Sequence, residues 1–392
     1  MNVLFLSHRL PYAPNRGDRI RAFHLLREMS QWADVDLISL VHDREEAAQA
    51  EALRSMTRSV TLAHVPKVRN TVSAIAHMAG STPATHMMLF SPDAKAAIDA
   101  AARRKPDVVF SYCTGVAPLA LAPALSGRPL VLDMVDVDSE KWASLATKTT
   151  WPRAWVYRRE ARLLRAFEAD VTRRSKATLV VNAKEQATLS TIAPGASIHT
   201  VENGVDTSSF RPQGPPAAGA VVVFCGVMNY SPNVEGALWL CREVWPLVRR
   251  AHPGARLDLV GSDPVQAVSA LNDPASGIRV TGAVPDVRPY LWDGSVACAP
   301  LHTARGVQNK VLEAVAAGLP TVVTSAVHEG LPREVLVACQ MADTAPAFAA
   351  AIAELLATEP AKRRERATAA DLSALGWDRR LAGLKTILSG VG

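Results

Sequence analysis

Long apolar runs are missing from this 392-residue chain. Nowhere do about 18 consecutive apolar residues occur, which removes a spanning helix and leaves only surface attachment to a membrane. The opening MNVLFLSHRL has a short apolar run that meets Ser7, without a basic start or a small-residue cleavage site, so it reads as a strand and not as a signal peptide. Cysteine is scarce and unpatterned: Cys113, Cys225, Cys241, Cys298 and Cys339 are odd in number, widely spaced and free of any CxxC, which fits a reducing compartment. Aromatic residues make up only 5% of the chain. No aromatic ladder interleaves with the basic residues and no zinc-finger or RNA-recognition signature accompanies them, so no nucleic-acid partner is expected. A GxGxxG followed by an acidic residue at the required distance is also absent, which argues against a nicotinamide-dependent oxidoreductase.

What remains is the composition of a folded enzyme, 48% hydrophobic and 20% charged, with 22 glycines and 26 prolines spread along the chain. A formal charge of +6 and a pI near 9.2 favour anionic partners such as nucleotides or phospholipid head groups. The length suggests two domains. Strand-length apolar runs alternate with helical segments throughout, which predicts parallel sheets covered by helices on both faces. The first series of strands is expected at residues 3–6, 35–41, 60–63, 108–112, 130–134, 178–181 and 198–201. A Pro/Gly/Ala stretch at 211–219 reads as a linker. The second series is expected at 221–225, 257–260, 278–281, 296–299, 321–324 and near 335–338. The helix opening at Pro232 should bury Val234, Ala237, Leu238, Cys241, Val244, Trp245 and Val248 on one stripe. A last helix is expected over 377–388.

In open parallel sheets ligands bind beyond the carboxyl ends of strands, so the loops there carry the chemistry. After the first strand, the helix start near Gly17 could hold an anion, helped by Arg16 and Arg19; a plain connector with solvated arginines is the alternative. After the fifth, Asp133, Asp136 and Asp138 stand two or three residues apart; Asp136-Val-Asp138 is a formal metal-binding pair, or Asp138 and Ser139 simply cap the next helix. The basic helix over 151–176 should turn Tyr157, Ala161, Leu164 and Val171 inward. Its Arg158, Arg162 and Arg165 form either a solvated face paired with Glu160 and Glu168 or, flanked by Trp151 and Trp155, a contact with anionic lipid. Gly226, Gly261 and Gly282 each follow a strand, which suggests backbone approach to one ligand. In ARGVQNKVLEAVAAGLPTVVTS, residues 304–325, Lys310 and Glu313 share a helix face after a strand, and Gly306 lets backbone come close. A cation for phosphate and a carboxylate for sugar hydroxyls in one turn point to a nucleotide-sugar site, where the positive helix end and Lys310 jointly offset a diphosphate.

On these residues the whole chain resembles glycosyltransferase family 4, the retaining nucleotide-sugar transferases of GT-B fold. ENGVDTSSFRP at 202–212 looks like the family's Asn-Gly-Val-Asp segment, and Gly306-x3-Lys310-x2-Glu313 with AVAAGLPTVV resembles its donor motif. PYAPNRGDRIRAFHLL, DMVDVDSEKW and GVQNKVLEA look, more narrowly, like sugar transferases of exosortase/PEP-CTERM exopolysaccharide loci. The resemblance implies an α/β chain of two doubly wound, Rossmann-like parallel-sheet domains facing a deep cleft. Residues 1–205 would be the acceptor-side domain, with 376–392 packing back on it, and 206–375 would bind the donor. It implies that Lys310 pairs the donor diphosphate, that Glu313 accepts from the ribose hydroxyls and that Gly17 approaches the phosphate. Thr281, Gly282 and Val284 would lie near the base. Catalytic candidates are Lys310, Arg305, Asp136 and Asp138; Gly226 and Gly306 complete the donor-binding set.

The expected partners are a UDP- or GDP-sugar, a polysaccharide or polyprenyl-linked acceptor and an anionic membrane surface, with no cofactor and no metal required. The expected setting is cytoplasmic, at the inner face of the plasma membrane. One departure is visible: the family's two glutamates are separated by seven residues, and counting back from Glu313 lands on Arg305. A sugar-nucleotide epimerase of the same architecture and a non-catalytic nucleotide- or glycan-binding subunit are the competing readings.

Overall fold

The computed structural model describes residues 1–12, 17–304 and 306–391. The chain divides into two compact units, Met1–Glu202 with Leu381–Gly392, and Asn203–Arg380. Each is built on one parallel sheet.

The first unit has seven strands: β1 (Asn2–Ser7), β2 (Asp34–Val41), β3 (Ser59–His64), β4 (Val108–Tyr112), β5 (Leu130–Val135), β6 (Ala177–Val180) and β7 (Ile198–Thr200), in the order β3-β2-β1-β4-β5-β6-β7. Phe5 of β1 pairs in register with Leu37 and Phe110, and all three are buried. Such strands are near-continuous apolar runs because helices cover both faces. Strand order reverses between β1 and β4. An ion pair ties the sheet to its first helix, Gly17–Met29: Arg21 Nε donates to Asp133 at 2.8 Å and its Nη1 to the Val201 carbonyl at 2.8 Å.

The second unit has six: β8 (Val221–Cys225), β9 (Arg256–Val260), β10 (Ile278–Val280), β11 (Val296–Ala299), β12 (Thr321–Val323) and β13 (Cys339–Met341), in the order β10-β9-β8-β11-β12-β13. Order reverses at β8 and β11, which pair directly. The last strand corrects the sequence expectation, since Arg333–Ala338 is a 3-10 turn and pairing with β12 begins only at Cys339.

Three further corrections concern helices. The helix starting at Ser231–Trp239 passes through a π-turn, Leu240–Val244, before resuming as Trp245–Ala251. Pro246 has no N–H to give the preceding turn, which is where a wider turn is tolerated. The extra residue puts Leu240 in the core and leaves Leu238 half-buried. In helix Arg153–Arg174 the two glutamates are not solvated. Glu160 accepts from the backbone of Ala84 and Thr85, both at 2.8 Å, and Glu168 accepts from the backbone of Ser139 at 3.0 Å and from its hydroxyl. The single helix expected over 377–388 is two short ones, Trp377–Arg380 and Leu384–Ser389.

Candidate functional site

In the second unit, β8 and β11 leave the sheet side by side at the order reversal, and a crevice at such a point is where α/β sheets take ligands. Helix Asn309–Ala316 follows β11, with Val311, Leu312, Ala314, Val315 and Ala316 buried against the sheet. That burial fixes the other face, and Lys310 and Glu313 come out on it half-buried. Gly306 sits at φ +60°, a left-handed conformation a side chain resists, and a Cβ at Gly330 would lie 2.6 Å from its carbonyl oxygen.

Lys310 crosses to the loop after β8. Its Nζ donates to Asn233 Oδ1 at 2.6 Å and lies 4.9 Å from the Phe224 ring centroid, while Asn233 Nδ2 donates to the Val227 carbonyl at 2.8 Å. Burial pulls the Lys310 ammonium down to about 8, against the pull of Cys225 and Glu313. Burial also pushes the Glu313 carboxyl up to about 7, with Lys310 opposing. No described residue donates a hydrogen bond to that carboxylate, so it is open to hydroxyl donors.

Gly226 is glycine for a reason internal to the protein. A Cβ there would stand 2.7 Å from Asn233 Nδ2 and 3.1 Å from Lys310 Nζ. A Cβ on Gly261 would lie 1.7 Å from the Gly226 carbonyl oxygen, so these two glycines close on each other. Gly282, at φ +69°, has open space beside its Cα. Thr281 is held by Leu259, whose carbonyl accepts its N–H at 3.0 Å, and Val284 packs on the cluster of Val221, Val223 and Leu291. These three stand after β10 at the sheet's far edge, with β9 between them and β8. Gly226, Asn233 and Lys310 are therefore drawn together. Arg305 lies outside the described residues.

In the first unit Gly17 opens its helix, and Arg16 lies outside the described residues. Arg19 is not a free cation. Its Nη1 donates to the Tyr12 carbonyl at 3.1 Å and its Nη2 stands 3.4 Å from Glu46 Oε1, which corrects its expected role in anion binding. The three aspartates after β5 separate. Asp133 is buried on Arg21, Asp138 is half-buried, and Asp136 is exposed. The Asp136 carboxyl is raised to about 6 by partial desolvation first, then by the Glu185 and Asp138 carboxylates. Helix Asp138–Thr147 is not capped by Asp138: the N–H groups of Val137 and Ser139 donate to Glu185 at 2.8 Å and Glu168 at 3.0 Å. No group of three or more His, Cys, Asp or Glu among the described residues could hold a metal ion. His8 stacks on Tyr112, His24 is buried and His302 stands edge-on to Trp239.

Sequence reasoning missed Asn233 and Glu185, and it set Glu168 on a solvated face when Glu168 instead accepts from Ser139. For Asn233 one signal was available: asparagine is a poor helix former, and one placed beside a proline in a first turn asks for a partner.

Residues 219–358 match the family model described as Glycosyl transferases group 1. No curated protein sequence matches the chain. Among solved structures, sucrose-phosphate synthase from Thermosynechococcus elongatus is similar at a TM-score of 0.69 and 15% identity, covering 100% of this chain and 98% of that one. Anabaena HepE in complex with UDP and glucose is similar at 0.67 and 13%, covering 100% of both chains. A glycosyltransferase from Rickettsia africae is similar at 0.63 and 11%, covering 100% and 98%. The chain has the GT-B fold, and its second unit contains the residues that match the model described as Glycosyl transferases group 1.

Proposed function

We propose that the chain is a glycosyltransferase that binds a UDP- or GDP-sugar through its second unit and passes the sugar, with retained configuration, to a hydroxyl of a glycan or polyprenyl-linked acceptor. The observation that carries this reading is the Lys310 ammonium, oriented by Asn233 at the ends of β8 and β11 and one helical turn from the open carboxylate of Glu313. A diphosphate takes Nζ and the N-terminal N–H groups of helix Asn309–Ala316 as counter-charge, and Glu313 accepts from the ribose hydroxyls. Arg305 adds a second cation. Thr281, Gly282 and Val284 meet the base through backbone, and Gly306 lets the loop approach. That Anabaena HepE is seen with UDP and glucose in the same fold supports the choice of donor class.

In the transfer, the bond from the anomeric carbon to the diphosphate oxygen breaks and the acceptor oxygen bonds to that carbon on the same face. The acceptor proton passes to a diphosphate oxygen. Asp136 or Asp138 orients the acceptor hydroxyl. Lys310, Arg305 and the helix end offset the growing diphosphate charge without a metal, and electrostatic stabilisation of that kind is often the largest catalytic term. A role in cell-surface polysaccharide synthesis at the cytoplasmic face rests on the three segments PYAPNRGDRIRAFHLL, DMVDVDSEKW and GVQNKVLEA alone.

Thermal shift against a panel of nucleotides and nucleotide sugars tests the donor, since a ligand at about 100 Kd stabilises by ~2.7 kcal/mol. Mass analysis of products then separates transfer from epimerisation, which would release a free nucleotide sugar, and from binding without turnover. Lys310→Ala should lower turnover by orders of magnitude with the fold intact; unchanged turnover removes Lys310 from the account.

A further inference from the structure

Thirteen large apolar side chains stand exposed among the described residues, and eight of them fall in two stretches of the first unit. Val68, Val72, Ile75, Met88 and Phe90 belong to residues 65–92; Leu145, Trp151 and Trp155 belong to residues 141–159. Neither stretch contains an aspartate or a glutamate. Both are basic, through Lys67, Arg69, Lys141, Lys148, Arg153 and Arg158, all of them exposed.

Helix Lys67–Ala76 is amphipathic with its apolar stripe outward. Its buried residues are Asn70 and Ala74, while Val68, Val72 and Ile75 follow one another at helical spacing on the outside, Val68 being 81% exposed. Asn70 accounts for the orientation: its Nδ2 donates to the carbonyls of Met88 at 3.0 Å and Phe90 at 2.7 Å, so the polar side is the docked side. Arg69 then lies over the Phe90 ring at 5.6 Å.

The two stretches meet through helix Arg153–Arg174. Arg159 donates to the carbonyls of Gly80 at 2.8 Å and Thr82 at 3.1 Å, and Glu160 holds the N–H groups of Ala84 and Thr85. Trp155 stands one turn before Arg159, and Trp151, 82% exposed, precedes it by another. Exposed apolar surface gathered in this way is uncommon on a chain that stays in water. Its exposed lysines and arginines complement anionic head groups, and tryptophan settles at head-group level. A second copy placed face to face would set cation against cation.

We propose that this face docks the protein on an anionic lipid bilayer. No residue of it belongs to the Lys310 site, so the inference stands apart from the donor reading. The test uses the full chain and vesicles of phosphatidylcholine alone or with about one-third phosphatidylglycerol, the bound fraction being read by flotation. Binding to the anionic vesicles should be at least about tenfold tighter than to the neutral ones and should weaken at about 0.5 M salt. Two variants, Val68→Ser with Val72→Ser and Ile75→Ser, and Trp151→Ser with Trp155→Ser, should each lose at least about tenfold of that binding. Because these side chains are exposed, both variants should melt as the parent does. A parent that does not float, or variants that float as well as it does, would overturn the proposal. So would a dimer seen by light scattering that the triple variant abolishes, since a second copy would then be what covers the face.

Discussion

At the scale of single residues, Lys310 and Glu313 titrate close enough to neutrality to give donor binding a pH profile. Lys310 must be protonated to meet a diphosphate, and its ammonium is held down to about 8, so affinity for a nucleotide sugar should fall as pH rises through 8. Glu313 must be ionised to accept from two hydroxyls, and its carboxyl is pushed up to about 7, so affinity should also fall below 7. The diphosphate diester itself does not titrate in this range. Calorimetry of a UDP-sugar from pH 6 to 9.5 should therefore give a maximum between the two values, and Lys310→Arg should remove the alkaline limb only, because a guanidinium stays charged. An alkaline limb that persists in the arginine variant would assign it to another group. Asn233 governs where Nζ points. Asn233→Ala removes the acceptor at 2.6 Å and leaves the Val227 carbonyl without its donor, a loss of about 1–3 kcal/mol, and Asn233→Asp should weaken nucleotide binding further by neutralising Nζ. Titration of both variants with UDP checks the order.

At the scale of elements, the short helix Ala84–Met88 carries a histidine whose charge opposes folding. His86 stacks edge-on against Phe167 at 4.3 Å, and burial lowers it to about 4, with Glu160 and the Thr114 backbone pulling the other way. Between pH 6.5 and 4 the unfolded chain binds a proton there and the folded chain does not, so this group's contribution to stability is lost as pH falls through that window. His86→Leu should therefore lose less stability than the parent between pH 7 and 5, by about 2 kcal/mol. Glu168, raised to about 7 by burial, acts in the opposite direction in both proteins and cancels from the difference. Melting curves at the two pH values read the effect; equal slopes would place the His86 ring in water.

The same elements mark how far the sequence could be read. The interior strands such as β1, β4, β8 and β11 announce themselves because burial on both faces demands unbroken apolar runs. The edge strands β3, β7 and β10, with exposed His64, Thr200 and Arg279, are legible only from their place in the strand–helix alternation. β13 escapes both signals, since Gln340 and exposed Met341 leave an edge strand without an apolar run, and the apolar run before it curls into the Arg333–Ala338 turn. Lys310 and Glu313 are visible because a helix brings near neighbours together. Asn233, 77 residues from Lys310, and Glu160, 76 residues from Ala84, are set by tertiary packing that no local pattern encodes.

At the scale of the whole molecule, the two units have separate cores. One runs from Leu4 to Ile198 around the seven-stranded sheet, and the largest in the second unit runs from Val205 to Leu375 around the six-stranded one. The second unit is continuous, whereas the first recruits the chain's last segment, with Leu381, Leu384 and Leu388 buried. Trp377 anchors the second unit's end against its beginning. It is buried, and a Cβ on Gly204 would lie 2.7 Å from its backbone. Cooperative unfolding follows the core, so two cores predict two calorimetric transitions. Every residue that would grip the donor through Lys310 lies in the second unit. A UDP-sugar at about 100 Kd should then raise one transition by the equivalent of ~2.7 kcal/mol and leave the other where it was. Truncation after residue 380 should do the reverse, lowering the transition the ligand does not move. If the ligand instead raises both transitions together, the donor is held by both units, and the assignment of its binding to the Lys310 side alone fails.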